Sequence, residues 1–313
     1  MFICSLMLAF TLSDTLIKSD EAEYEKNKIY LNGNVVIEKE GEWQLKSDLV
    51  EYLQDSKIVA KEKTSPCFFK HALFEAQSSF IELTKERLML HNVRGAFFSK
   101  NSLPFSYRAN QAFLDPKNEK LTLEGQIHVT HEIFGTMHCL ETLSIQNQHQ
   151  LSHVIESKGE TTLKLGPHTF IAKNGLKLDE NFLIIESKDP ILYLSEELEI
   201  GANSMTLTLM NTPHGFVLRA FDFRDEVAII YKDREGHIAY GSAKRAHYTP
   251  FTKSLTLFGS PKDPLLFWND QKSIELRAED EIEISYGQRY IISQGAVHIT
   301  LTDEEKIKLK KFL

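Results

Sequence analysis

The side chains most able to do chemistry in this sequence are three histidines and a cysteine in one short stretch. His128, His131 and His138 precede Cys139, and imidazole nitrogens and thiolates are ligands that zinc prefers. In a β-strand, however, residues three apart point to opposite faces, so His128 and His131 do not converge on one ion. We therefore predict ordinary surface or edge-strand histidines, no metal site and no bound cofactor.

A row of acidic residues near the end of the chain is the second candidate for chemistry. Glu279, Glu281 and Glu283 alternate with Ile282 and Ile284. Glycosidases need two carboxylates at a set separation. Alternation with apolar residues is instead typical of a strand that has one solvated and one buried face. We interpret the acidic row as a solvated sheet face.

Enzyme motifs are missing from the sequence. It contains no GxSxG, no GxxxxGK[ST] and no GxGxxG that follows a strand. We predict that the chain has no catalytic residues and is not an enzyme. A less favoured alternative is a polysaccharide-acting enzyme that uses Glu279, Glu281 or one of the histidines between positions 128 and 138.

Charge and cysteine content restrict the partners and the compartment. The 313 residues carry a net charge of -8, and lysine and arginine are spread along the chain, which argues against a nucleic-acid partner. The three cysteines are Cys4, Cys67 and Cys139, with no CxxC spacing. Cys67 and Cys139 could pair in an oxidising compartment, but the sequence favours two buried free thiols.

Short strands must position whatever site this chain has. Apolar residues alternate with polar ones at positions 35–37, 121–123, 255–257 and 297–299, among others, and Gly or Pro turns separate these segments. Period-2 alternation indicates strands with one buried face. Many such strands at intervals of about 8–12 residues predict an all-β fold.

The chain also contains a repeat. Residues 109–125 (ANQAFLDPKNEKLTLEG) align without a gap to residues 243–259 (AKRAHYTPFTKSLTLFG). A match at a fixed offset indicates a duplicated fold unit. We predict two tandem homologous halves, 20–145 and 156–302.

The two ends of the chain differ in character from the halves. Residues 2–12 form an apolar run that suits a signal peptide, so we predict that residues 1–13 are an export signal or N-terminal anchor. Thr302 to Glu305 read as a helix capping box, which predicts a short C-terminal helix over residues 303–313.

Several of these segments carry the motifs of one known family. The repeated pattern AxxAxxxPxxxxLTLxG, the opening LNGNVVI at 31–37 with WQLKSDLVEY at 43–52, and LRAEDEI at 276–282 with SQGAVHI at 293–299 resemble the OstA-like family of lipopolysaccharide-transport proteins. That family includes LptA, LptC and the N-terminal domain of LptD. The resemblance covers most of residues 29–302, although Ser47-Asp48 stands where an Ala-Asp pair is common.

The resemblance implies a fold, a function and a compartment. The fold is an antiparallel β-jellyroll or β-taco, an open V-shaped solenoid whose interior holds lipid acyl chains. The function is periplasmic binding of lipopolysaccharide, through lipid A, and its transport to the outer membrane. The partners are other bridge proteins or a second copy, joined head to tail through sheet edges near Ile29–Ile37 and Ile291–Ile299.

The predicted lipid-binding residues are the inward members of the alternating strands. They are Val35, Ile37, Leu45, Leu121, Leu123, Ile127, Val129, Leu255, Leu257, Ile282, Ile284, Val297 and Ile299. Phe97, Phe98, Phe113, Phe221, Phe223, Phe267 and Trp268 are expected to add aromatic side chains to the same interior. The alternative reading is an exported structural or adhesin-like β-solenoid with a sealed core, because a packed core requires the same alternation.

Overall fold

The computed structural model describes residues 15–53, 57–71, 74–84, 87–98, 104–115, 118–132, 135–148, 152–179, 184–187, 190–212, 215–232, 236–269, 274–285 and 290–301. Strands occupy most of these residues, they contain no helix, and their strand pairings are antiparallel. The predicted all-β antiparallel fold is confirmed. The predicted leader, residues 1–13, and the predicted helix, residues 303–313, lie outside the described residues.

The chain divides into two compact units, Met1–Lys158 and Gly159–Leu313. The described strands of unit 1 are β1 (Thr15–Lys18), β2 (Glu21–Glu25), β3 (Lys28–Lys39), β4 (Trp43–Leu53), β5 (Lys57–Lys61), β6 (Cys67–His71), β7 (Phe74–Ser78), β8 (Phe80–Leu83), β9 (Leu88–Phe97), β10 (Phe105–Asp115), β11 (Lys120–Glu124), β12 (Ile127–His131), β13 (Gly135–Cys139), β14 (Thr142–Gln148) and β15 (Ser152–Lys158).

The described strands of unit 2 are β16 (Thr161–Leu165), β17 (His168–Ala172), β18 (Lys177–Asp179), β19 (Ile184–Ser187), β20 (Ile191–Leu194), β21 (Leu198–Ala202), β22 (Ser204–Thr212), β23 (Gly215–Lys232), β24 (Ile238–Thr249), β25 (Ser254–Phe258), β26 (Leu265–Asn269), β27 (Ile274–Ala278), β28 (Glu281–Ser285), β29 (Tyr290–Gln294) and β30 (Val297–Leu301).

Long strands connect two hydrogen-bonded ladders within each unit. In unit 1, sheet I runs β1-β3-β4-β6-β7-β9-β10-β12-β13, and sheet II runs β2-β3-β4-β5-β8-β9-β10-β11-β14-β15. The strands β3, β4, β9 and β10 each belong to both sheets, because one half of the strand pairs in sheet I and the other half in sheet II.

Unit 2 repeats this scheme with β23 and β24 as the long strands. Its sheet III runs β16-β17-β20-β21-β23-β24-β26-β27-β30, and its sheet IV runs β18-β19-β22-β23-β24-β25-β28-β29. The change of sheet falls at residues with positive φ in three of the long strands. Gly33 and Asn34 interrupt the pairing of β3, Asn92 separates the two halves of β9, and Asp225 and Glu226 interrupt the pairing of β23.

The two aligned sequence windows form the same local structure. Each window is the second half of a long strand, a turn and the following strand: β10 with β11 in unit 1, and β24 with β25 in unit 2. Ala112 pairs with Leu123 as Ala246 pairs with Leu257, and all four side chains are buried. The homology of the complete halves 20–145 and 156–302 stays a prediction.

The structure corrects two expectations about strand edges and faces. The segment Ile29–Ile37 is not an edge, because β1 and β2 both pair with β3. Phe113 and Trp268 do not join the interior. Phe113 lies under the guanidinium of Arg87, with the Arg87 Cζ 4.2 Å from the ring centroid, and Trp268 stacks on Tyr240 with centroids 5.8 Å apart.

Candidate functional site

The predicted lipid-binding residues lie mostly between the two sheets of their own unit. Eleven of the thirteen side chains are buried, at 5% exposure or less: Val35, Ile37, Leu45, Leu121, Leu123, Ile127, Val129, Leu255, Leu257, Ile282 and Ile284. The faces of these strands were therefore assigned correctly from the alternation. Whether any of the thirteen residues contacts a lipid stays a prediction.

In unit 1 the antiparallel register brings these residues into rows that cross the sheets. Ile37 lies opposite Leu45, and Leu45 lies opposite Phe69 in sheet I. In sheet II, Leu123 lies between Ala112 and Leu143. Directly opposed side chains share a face, so each row is a continuous apolar band.

Aromatic side chains fill the interior of unit 2. The ring of Phe221 in sheet IV lies 5.2 Å from Phe170 and 5.0 Å from Tyr193 in sheet III, measured between centroids. Phe223 and Tyr248 extend the cluster, at 6.0 Å and 6.1 Å from Tyr193. Contacts at these distances bind the two sheets together and occupy the space between them.

The interior is exposed at the last described strands. Ile299 continues the inward row through Phe267 and Leu276, yet its side chain is 60% exposed. Val297, two residues earlier in β30, is half-buried. These are the two predicted site residues that the structure does not bury.

The structure separates His128 from His131, as their spacing predicts, but it corrects the expectation of surface histidines for His131, which is buried. His131 is buried against Phe105, whereas His128 points outward, so the two do not converge. No group of three or more potential metal ligands exists among the described residues. Cys67 and Cys139 are buried free thiols. Glu281 and Glu283 lie on the outer face of β28, opposite in direction to Ile282 and Ile284.

Sequence reasoning missed one site on the outside of unit 1. A concavity of about 980 Å³ lies along the outer face of sheet I, and Arg94, Arg108, His128 and His138 line it. These four residues come from four different strands and share one cross-strand row. Spacing drew attention to His128 and His138, but only the strand register places them in one row with Arg94 and Arg108.

Comparison with known proteins adds a distant structural likeness. No protein-family profile matches the chain. No curated protein matches it either. Among solved structures, the chain is similar to LptH, the LptA-homologous periplasmic component of the lipopolysaccharide transport device of Pseudomonas aeruginosa. The identity is 9% and the TM-score 0.37, over 44% of this chain and 95% of LptH.

In the part of the chain that the structure describes, no helix has the length and apolar character needed to cross a bilayer.

Proposed function

We propose that this chain is an exported, periplasmic lipid-binding protein that carries the acyl chains of lipopolysaccharide between its sheets. The observation that carries this proposal is the inward apolar row at β30. Its last described member, Ile299, has a side chain that is 60% exposed. An apolar row between two sheets is a surface on which acyl chains gain about 25 cal/mol for each Å² removed from water. The family motifs quoted above support the same assignment.

The exposed end of the row is the proposed entry point. Val297 and Ile299 lie on the inner face of β30, whereas the aromatic cluster around Tyr193 is buried. An acyl chain therefore meets apolar surface first at β30 and must displace ring contacts to pass further. Docking of a similar protein or a second copy on β29 and β30 would extend this interior from one molecule to the next.

A sealed, structural β-solenoid is the second candidate, and the aromatic cluster favours it. Five rings at centroid distances of 5.0 to 6.1 Å leave the middle of unit 2 occupied. In that reading the interior only stabilises the fold. Lipid would not be captured at any inward position.

A photo-crosslinking amino acid at position 299 separates the two candidates. Thr300 is the matched control, because it neighbours Ile299 on the same strand, is also exposed and points to the outer face. We expect lipopolysaccharide to be captured in cells from position 299 and not from position 300. Capture from neither position in a folded protein would favour the sealed solenoid, and equal capture would contradict an inward lipid site.

Substitution of a single buried leucine should weaken binding only modestly, since the apolar contact is shared among many residues. Leu123→Ala is expected to lower the free energy of unfolding by about 2–5 kcal/mol, because Leu123 is fully buried between Ala112 and Leu143. Leu123→Asp would place an unpaired carboxylate in the core and is expected to prevent folding.

Ile299→Asp tests binding instead, because the side chain at position 299 is exposed. This substitution should abolish crosslinking from position 297 while the protein stays folded.

A further inference from the structure

One cross-strand row on the outer face of sheet I is unusually basic. Antiparallel register places its members directly opposite one another from β1 to β13. They are Lys18, Val36, Lys46, Phe68, Gln77, Arg94, Arg108, His128 and His138. This basic row contains four lysine or arginine side chains, two histidines and no carboxylate, in a chain whose net charge is -8.

The basic row places like charges directly opposite one another on neighbouring strands, an arrangement that sheets ordinarily avoid. Arg94 lies directly opposite Arg108, and Arg108 lies opposite His128. Like charges in directly opposed positions destabilise a sheet. The pKa of His128 is lowered, first by its partial burial and then by the charges of His138 and Arg108. The fold thus tolerates an electrostatic cost that a bound anion would remove.

The concavity over the row has the chemistry of a saccharide site. Gln77, Asn92, Asn110 and Gln126 line it together with the basic residues, and side-chain amides both donate to and accept from sugar hydroxyls. Arginine guanidinium groups bind phosphate and carboxylate in a bidentate manner. Arg94 Nε donates to Gln77 Oε1 at 2.9 Å, which holds the guanidinium group in the row.

We propose that the basic row binds an anionic saccharide chain, bearing phosphate or carboxylate groups, along the outside of unit 1. Neighbouring strands lie about 4.8 Å apart, so the basic side chains from Arg94 to His138 are spaced at roughly the length of one sugar ring. The site does not depend on lipid entering the interior, and it stands or fails separately from the proposed function.

Two other polyanions fit the observations less well. Single-stranded nucleic acid is bound on exposed aromatic platforms, and the basic row contains no tyrosine or tryptophan and one phenylalanine, Phe68, which is half-buried. An anionic membrane is a flat surface, whereas Arg94 and Arg108 line a concavity. Oligodeoxythymidine and phosphatidylglycerol vesicles therefore serve as comparison probes.

Calorimetric titration of the full-length protein at low salt tests the proposal. The probes are a phosphorylated mannan oligosaccharide, an oligogalacturonate and a neutral dextran oligosaccharide of matched length, with inorganic phosphate as a fourth. We expect both anionic saccharides to bind, the neutral one not to bind, and the R94Q/R108Q variant to lose at least tenfold in affinity. The control R219Q/R224Q removes the same charge from exposed positions of unit 2 and should bind like the wild type.

Two further variants separate a binding role from a structural one. Among the residues that the structure describes, Glu62 is the one carboxylate that lines this concavity, so Glu62→Gln should tighten binding of the anionic saccharides. The R94Q/R108Q variant should melt no lower than the wild type, because it relieves the opposed charges. Binding should also tighten as the pH falls from 8 to 6, since protonation of His128 between Arg108 and His138 adds a cation that the anion stabilises.

Clear outcomes would overturn the inference. These are equal affinity for the neutral and anionic saccharides, equal loss in R94Q/R108Q and R219Q/R224Q, or binding by inorganic phosphate alone. A stronger affinity for oligodeoxythymidine or for phosphatidylglycerol vesicles would assign the basic row to that other class of partner.

Discussion

Gly95 in β9 has no room for a side chain. A Cβ at this position would lie 2.0 Å from the carbonyl oxygen of Glu75, 2.7 Å from Tyr107 Oη and 2.9 Å from the Cα of Ala76. Backbone atoms cannot yield as a flexible side chain can. We expect Gly95→Ala to lower the free energy of unfolding by about 3 kcal/mol, measured by urea denaturation.

Gly201 in β21 provides the matched control for that substitution. It has no positive φ, and a Cβ built there has no atom within 4 Å. Gly201→Ala should leave the free energy of unfolding unchanged or raise it by about 0.5 kcal/mol, because alanine restricts the unfolded chain. Equal destabilisation by the two substitutions would show that the close approach at Gly95 is not the cause.

Burial of His168 gives the stability of unit 2 a dependence on pH. Its Nδ1 lies 2.9 Å from Tyr193 Oη, and burial lowers the pKa of His168 below its ordinary value. A histidine whose pKa is lowered by folding contributes stability that is present above its unfolded pKa, about 6.5, and is lost as the pH falls toward the folded pKa. The free energy of unfolding should therefore fall between pH 7.5 and pH 5.

Two variants identify His168 as a source of this loss. His168→Gln should reduce the decrease in unfolding free energy between pH 7.5 and pH 5. Tyr193→Phe should retain the decrease, because burial rather than the hydrogen bond lowers the pKa of His168. Some pH dependence should persist in His168→Gln, since burial also lowers the pKa values of His71 and His128. An unchanged slope in His168→Gln would contradict the assignment.

At the scale of strands, one corner geometry recurs three times where the chain leaves one sheet for the other. A glycine with positive φ lies on one strand or turn, and an Asp or Asn side chain of the neighbouring segment occupies the space that a Cβ on that glycine would need. The pairs are Gly33 with Asp20, Gly125 with Asn110, and Gly295 with Asp280. Backbone hydrogen bonds join the first two pairs, from Asp20 N to Gly33 O at 3.0 Å and from Asn110 N to Gly125 O at 2.9 Å.

Substitution at one corner tests this geometry. Gly125→Ala suffers both the positive φ of 69° and a Cβ only 2.8 Å from Asn110 Nδ2, so we expect a loss of about 2 kcal/mol. Gly166→Ala has a positive φ of 58° but no atom within 4 Å, so its loss should be about 1 kcal/mol. Urea denaturation of both variants measures the difference, and an equal loss would mean that the Asn110 contact is unimportant.

The sequence predicted strand faces well, because side chains alternate between the two faces of a strand and the buried face is therefore the apolar one. Leu121 and Leu123, or Leu255 and Leu257, could be placed inward from their spacing alone, and all four are fully buried. Corners were harder to foresee. The division of β3 between two sheets depends on the positive φ of Gly33 and Asn34, which local turn composition indicates but does not locate.

The basic row could not be predicted from the sequence, since its members come from strands that pair across long separations. Lys46, Arg94 and His138 share a row only because of the register of the strands between them. The same reasoning explains Ile299. Alternation gave its face, but its exposure depends on whether another strand covers β30, which alternation does not encode.

At the scale of the whole molecule, the last strands of unit 2 combine two features that favour association. Ile292 on the outer face of β29 is 50% exposed, and Ile299 on the inner face of β30 is 60% exposed. Among the described strands of unit 2, β29 pairs with β28 and β30 pairs with β27, and neither has a second partner. Backbone groups on such edges form hydrogen bonds with an added strand unless proline or lysine blocks them.

We therefore expect Ile299→Lys to weaken association of the full-length protein, measured by sedimentation velocity across a range of concentrations. A lysine on an edge strand opposes pairing with a further strand, because its charge would have to be desolvated. Ile230→Lys is the matched control. Ile230 is 40% exposed but lies in the interior of a sheet, because it pairs with Glu199 of β21 on one side and with Tyr240 of β24 on the other.

Deletion of residues 303–313 distinguishes a docking edge from a covered one. If these residues cover β30, the truncated protein should associate more strongly than the wild type, and Ile299→Lys should reverse the increase. If β30 is a docking surface, truncation should leave association unchanged and Ile299→Lys alone should weaken it. A monomer at all concentrations in every variant, or equal weakening by Ile299→Lys and Ile230→Lys, would contradict pairing through these strands.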